Sequence, residues 1–191
     1  MSFRLFLIRH GETDWSQADR HTGLTDIPLN EKGKREALEL KETLKSFNFS
    51  CVLTSPLKRA KETCLLAGFG QKAEVTHDLV EWDYGLYEGL TTPEIVKQNP
   101  NWNLFKDGPL GGETCIQIAT RADRVIKRCE QEKGDLLLFS SGHFLRVLAA
   151  RWLAIPATDG SYFYLAPASI SILGYEHKAR VIRLWNRTLV F

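Results

Sequence analysis

Three short runs of the chain are apolar on consecutive residues, not on alternating ones. Phe3 to Ile8 reads FRLFLI, with Arg4 as its one charged residue; 51–54 reads CVLT; 135–140 reads DLLLFS. Alternation marks a strand with one wet face, so a continuous run of this length belongs to a strand covered on both faces. Between the runs lie stretches with helical spacing. In 31–47 the apolar Ala37, Leu40, Leu44 and Phe47 recur among charged neighbours, which predicts a surface helix. Ser55-Pro56 predicts an N-cap followed by proline at the first helical position, so a helix is expected to start there. A long helix is expected over 113–132, another in HFLRVLAARWL after Gly142, and a terminal hairpin from 170–175 and 180–185. Doubly covered strands alternating with helices predict the α/β class: a three-layer α/β/α sandwich with a mostly parallel central sheet.

The 191 residues suffice for one sizeable core, so 1–191 is read as a single domain. The irregular part is 83–112, with Gly85, Gly89, Pro93, Pro100, Gly108, Pro109, Gly111 and Gly112. It reads as a long loop with a short helix over 92–98, and such loops are often functional lids. The formal net charge of +2, from scattered basic residues, is too small to imply attraction to nucleic acid or bulk membrane, so neither is expected as a partner. No apolar run approaches the roughly 18 residues that span a bilayer. Cys51, Cys64, Cys115 and Cys129 form no C-x-x-C pair and are read as reduced and structural, so a cytoplasmic location is expected.

In open α/β sheets, ligands bind beyond the carboxyl ends of the strands. Here those ends are polar and reactive. The first run stops at Arg9-His10-Gly11. The second stops at Thr54-Ser55-Pro56, with Arg59 just beyond. The third stops at Ser140-Ser141-Gly142-His143. Side by side, they would hold two guanidinium groups, one or two imidazoles and a helix N-terminus. That combination describes a receptor for a phosphoryl dianion. Neighbouring positive charge disfavours imidazolium, and a neutral imidazole is a nucleophile, so the cluster points to transfer through a phosphohistidine. A metal site built from His10, Glu81 and His143 ranks below this reading, because two arginines would repel a divalent cation.

The segment Leu7-Ile8-Arg9-His10-Gly11-Glu12-Thr13 resembles the signature of the histidine phosphatase superfamily, the phosphoglycerate-mutase-like group. HTGLTDIPLNEKG (21–33), TSPLKRAKET (54–63), EWDYGLYEG (81–89) and GGET (111–114) follow in that family's order, so the resemblance covers nearly the whole chain. It implies a phosphoglycerate-mutase-like fold. It implies that His10 is phosphorylated, that Arg9 and Arg59 hold the phosphoryl group, and that Glu81 is the acid/base. Thr22 and Gly23 would line the pocket, with backbone N–H donation. Gly11 would let the backbone approach the phosphate closely. No metal and no organic cofactor is required.

Two positions depart from the family. Ser16 stands where an asparagine phosphate donor is common. Ser141 stands where a second histidine precedes Gly142, and His143 falls two residues later, as in related H-G-H sequences. Either His143, or Ser141 with a water, supplies the missing donor, or the chain is an attenuated enzyme that mainly binds a phosphorylated ligand. Lys97 and Lys106 are the only basic residues between Glu81 and Glu113, so the long basic insertion of phosphoglycerate mutases is absent. That favours phosphatase over mutase-type phosphotransferase. Trp15-Ser16, HTGLTD, EWDYGLYEG and WNLFKDG resemble the sedoheptulose-bisphosphatase-like subgroup, which implies a small sugar phosphate as partner. Trp15, Trp82, Tyr84 and Tyr87 form either a wall for a polyol or plain packing.

Overall fold

The structure is a computed structural model and describes residues 3–188. In chain order the elements are β1 (Arg4–Arg9), α1 (Asp14–Gln17), α2 (Glu31–Leu44), β2 (Phe49–Thr54), α3 (Lys58–Leu66), β3 (Glu74–Val75), α4 (Thr92–Gln98), α5 (Leu104–Asp107), α6 (Cys115–Cys129), β4 (Asp135–Ser140), α7 (Gly142–Trp152), β5 (Ile170–Glu176) and β6 (Ala179–Arg187). The six strands lie in the order β3-β2-β4-β1-β5-β6. β3, β2, β4 and β1 run parallel, and β5 and β6 add an antiparallel hairpin at one side.

The continuous apolar runs are explained by cover on both faces. Leu5 and Leu7 of β1 pack with α6 and α7, while Phe6 and Ile8 pack with Leu40 and Leu44 of α2 and Cys64 of α3. Leu136 and Leu138 of β4 face the first cluster, and Leu137 and Phe139 the second. This is the expected three-layer sandwich. Each such fully buried side chain contributes on the order of 1.5–3 kcal/mol of burial free energy.

Two helix starts differ from the sequence reading. α3 begins at Lys58, not at Pro56, and its cap residue Leu57 offers no side-chain bond. Asp26, from a distant loop, accepts from Lys58 N at 2.7 Å and takes over the capping that Ser55 was expected to give. α6 begins at Cys115, because Thr114 and Gln117 close a reciprocal capping box that leaves Glu113 outside the helix. The 92–98 helix lies where expected, capped by Thr91 and Glu94. α5 breaks the long loop again, with Asn103 accepting two backbone N–H groups at its start.

The register places the functional edge. Arg9 sits opposite Ser140, and Thr54 opposite Phe139, so β1, β4 and β2 end side by side. The His10 N–H continues the ladder to Ser140 O at 2.9 Å. Gly11 serves this edge differently from the expectation. The close approach it permits is to the start of α2, since a Cβ there would lie 2.5 Å from Gly33 O. A Cβ on Gly33 would in turn lie 2.1 Å from Glu12 O. The turn after His10 thus presses backbone to backbone against α2. Gly33→Ala should therefore destabilise the fold by about 3 kcal/mol, the upper range for overpacking. Urea denaturation checks this; an unchanged midpoint would contradict the contact.

Candidate active site

A cavity of about 430 Å³ opens where β1 and β4 end. Arg9, His10, Glu81, Gly142 and His143 line it, with Ser16, Thr22 and Tyr84. Arg59, Gly23 and Ser141 stand behind its wall. Arg59 and Ser141 are wholly buried, and Arg59 supports the loop that forms the rim.

His10 is buried, and its Nδ1 lies 2.8 Å from Gly11 O. A carbonyl only accepts, so Nδ1 carries the proton and Nε2 keeps its lone pair. Burial holds the ring well below the usual imidazole range, and the charges of Arg59 and then Arg9 add to this. The ring is a neutral base with its free nitrogen defined by the next carbonyl.

Arg59 donates from Nη1 to Thr25 O at 2.9 Å and from Nη2 to Thr22 O at 3.0 Å and Gly23 O at 2.7 Å. Its Nε is buried with no acceptor in the protein, and so is Nε of Arg9, whose Nη1 donates to Leu165 O. Orphaned buried donors cost about 1–3 kcal/mol each. Arg9, which lines the cavity, carries one such donor suited to an anion's oxygen, and that of Arg59 lies behind the wall. Gly142 makes room for the Arg9 side chain, since a Cβ there would lie 3.2 Å from Arg9 Nε.

Glu81 is held by backbone alone. Its Oε1 accepts from Trp82 N at 2.9 Å and Phe144 N at 2.7 Å, and its Oε2 from His143 N at 2.9 Å. The carboxylate thereby caps the N-terminus of α7, where the helix dipole favours negative charge.

His143 is about a quarter open, with a side-chain exposure of 26%. Tyr84 Oη lies 2.6 Å from its Nδ1. Burial pushes the Tyr84 hydroxyl well above its ordinary value, so it stays protonated and donates. Burial, then Arg146, His21 and Arg9, hold the His143 ring well below its ordinary value. His143 is therefore neutral with its proton on Nε2, a neutral donor. Ser141, at the N-cap of α7, makes no capping bond, and its Oγ has no partner.

Other expected contacts are taken up inside the protein. The Gly23 N–H, expected to donate to substrate, is held by the Glu88 carboxylate at 2.9 and 3.1 Å. Ser16 lines the cavity, but its Oγ closes the α1 capping box by accepting from Thr13 N and donating to Thr13 O. Of the aromatic residues weighed as a wall, only Tyr84 reaches the cavity. Trp82 and Tyr87 are buried, and Trp82 Nε1 donates to Glu113 O. The sequence reading missed His21, Arg20 and Arg146, which also line the cavity. His21 lies within the quoted HTGLTD segment, the only signal that pointed to it. Among the described residues no group of three or more His, Cys, Asp or Glu is placed to hold a metal ion. All four cysteines are free, and no described helix is long and apolar enough to cross a membrane.

The match to known families agrees with this geometry. Residues 5–188 fit the model of the histidine phosphatase superfamily, branch 1. The chain belongs to that superfamily. An acid phosphatase of Mycobacterium tuberculosis is 40% identical over 97% of this chain and 93% of its own length. A sedoheptulose 1,7-bisphosphatase of Saccharomyces cerevisiae is 36% identical over 80% of this chain and 68% of its own. A solved structure of a Mycobacterium tuberculosis open reading frame superposes with a TM-score of 0.94 at 38% identity, covering 98% of this chain and 99% of that one. The phosphoglycerate-mutase-like fold of this histidine phosphatase is thus shared closely.

The buried rings give a pH dependence. Unfolding returns His10, His21 and His143 to values near 6.5. The unfolded chain then binds more protons than the folded one below that pH. This contribution to stability is complete above 6.5 and is lost as pH falls, down to about 4 for His21, which burial alone depresses. Urea midpoints should fall over that window, and His21→Gln should flatten the fall. An identical slope in the variant would contradict the assignment.

Proposed function

We propose that this chain is a metal-independent phosphomonoester hydrolase that works through phosphohistidine on His10 and takes small sugar phosphates. The observation that carries the reading is His10 itself: a neutral ring, its Nδ1–H fixed on Gly11 O, beside two guanidiniums whose buried Nε groups lack acceptors. In this reading the Nε2 lone pair attacks phosphorus and the ester P–O bond breaks. Glu81 gives its proton to the leaving oxygen. Glu81 then takes a proton from the water that cleaves the P–N bond, restoring both residues. Arg9 and Arg59 stabilise the charge on the non-bridging oxygens, the role a metal ion fills in other phosphatases. The name of the acid phosphatase relative fits a nucleophile that stays neutral below the usual imidazole range, and that of the bisphosphatase relative fits a sugar phosphate.

His143 Nε2–H is proposed as the donor replacing the family's second histidine, with Tyr84 setting its tautomer. Ser141 carries a second reading, an attenuated enzyme that mainly binds its ligand. Its unpartnered Oγ is shorter and uncharged where the family has an imidazole. The two readings separate on a panel of p-nitrophenyl phosphate, sugar bisphosphates and monophosphoglycerate. The hydrolase releases phosphate from the first two and does not isomerise the third. His143→Ala should lower kcat by about tenfold or more, within the range of lost proton donors, and Tyr84→Phe by less. Tight binding without turnover of any substrate would establish the binder; isomerisation alone would establish a mutase. If neither His143→Ala nor Ser141→Ala slows hydrolysis tenfold, the substitute donor is refuted.

A further inference from the structure

The GGET segment and α6 take no part in the chemistry above, yet they converge on its acid. Arg121, on α6, is almost wholly buried and spends every donor on the protein. Its Nη1 donates to Asp78 O at 3.0 Å and Val80 O at 2.6 Å. Its Nη2 donates to Glu81 O at 3.2 Å and Glu113 Oε2 at 2.6 Å, and its Nε to Glu113 Oε1 at 2.9 Å. No donor is left for a substrate, and Arg121 lines a separate cavity that meets the catalytic one only at Glu81.

The same group also touches the other support of the Glu81 carboxylate. The Arg121 guanidinium lies 4.4 Å from the centre of the Phe144 ring, and Phe144 N is one of the three donors to Glu81. Glu113 closes the frame. Its N–H donates to Asp83 O at 2.9 Å, and its carbonyl accepts from Trp82 Nε1 at 2.6 Å. Residues on both sides of Glu81 in the chain are therefore tied to one ion pair. A bidentate pair is directional as well as strong, so it fixes position. Buried pairs of this kind contribute little net stability against an apolar substitute, which leaves positioning as their effect.

We propose that Arg121, braced by Glu113, is a positioning residue that holds the Glu81 carboxyl on the α7 N-terminus for proton transfer to the leaving oxygen. The inference rests on the reading of Glu81 as the acid. Its signature is leaving-group dependence, because p-nitrophenolate departs without a proton and an alkoxide does not. The readout is kcat/KM for p-nitrophenyl phosphate and for an alkyl phosphate, measured on Arg121→Lys, Glu113→Gln and Glu81→Gln, and on Arg121→Lys combined with Glu81→Gln. Circular dichroism checks folding, and Glu113→Gln carries the test if Arg121→Lys does not fold. Arg121→Lys keeps the charge and loses the fork. It should lower the alkyl ester's value by about tenfold or more and the aryl ester's by about twofold or less, a fraction of what a general acid supplies. The loss should vanish in the Glu81→Gln background, since both changes act through one group. Equal losses on both esters, or a loss that persists without Glu81, would overturn the proposal. A selective loss in Glu81→Gln with none in Arg121→Lys and Glu113→Gln would overturn the positioning role alone. No selective loss in Glu81→Gln would remove the acid role, and this inference with it.

Discussion

A guanidinium does not shed its charge when buried, so Arg59, wholly excluded from solvent, has to be met by acceptors. The chain meets it with three carbonyl acceptors, from Thr22, Gly23 and Thr25. That requirement curls 22–25 into the rim of the cavity. Glu88 then takes the N–H groups of Gly23 and Thr25 from the other side. Burial pulls both Arg9 and Arg59 down, and Glu81 is the largest opposing charge for each. The Glu81 carboxylate thus opposes the charge of both guanidiniums that lie beside the His10 ring.

The same economy governs the rest of the site. The Glu81 carboxylate sits on the N-terminus of α7, which holds it with backbone N–H groups alone. Those N–H groups exist there because only Ser141 separates the end of β4 from the helix, in register with the end of β1. His10 needs its Nε2 free, and the carbonyl of the following residue secures this without any second side chain. Sheet register, helix start and local backbone thus place the two guanidiniums, Glu81 and His10 before the outer lining of the cavity is considered. The aromatic and polar residues that line the outer cavity, His21, Tyr84 and His143 among them, are layered on that frame.

What the sequence made legible follows from how local each signal is. β1, β2 and β4 were readable because cover on both faces leaves continuous apolar runs. The convergence of Arg9, His10 and Ser140-Gly142 followed from strand direction. α4 was readable because its cap and proline lie within its own first turn. The start of α3 was not, since Asp26 caps it from 32 residues away. The contact of Gly11 with Gly33 was not readable for the same reason: Gly33 belongs to another element. Glu81 had no local mark at all and came from the family resemblance. Glu88 escaped because its partner Gly23 N–H lies 65 residues away, and Arg121 because, Glu113 apart, its partners are carbonyls 40 to 43 residues away, which no pattern of side-chain types records. Ser16 was read as a substrate donor because a hydroxyl's commitment to its own helix cap is invisible without the backbone.

The central claim is that a neutral His10 ring accepts the phosphoryl group covalently. Rapid-quench turnover of ³²P-labelled substrate, followed by peptide mass spectrometry under alkaline conditions, tests it directly. The account predicts an acid-labile, base-stable phosphoryl adduct on the peptide containing His10, absent from His10→Ala, which should also lose turnover. No adduct at any quench time, together with hydrolysis that survives His10→Ala, would contradict it.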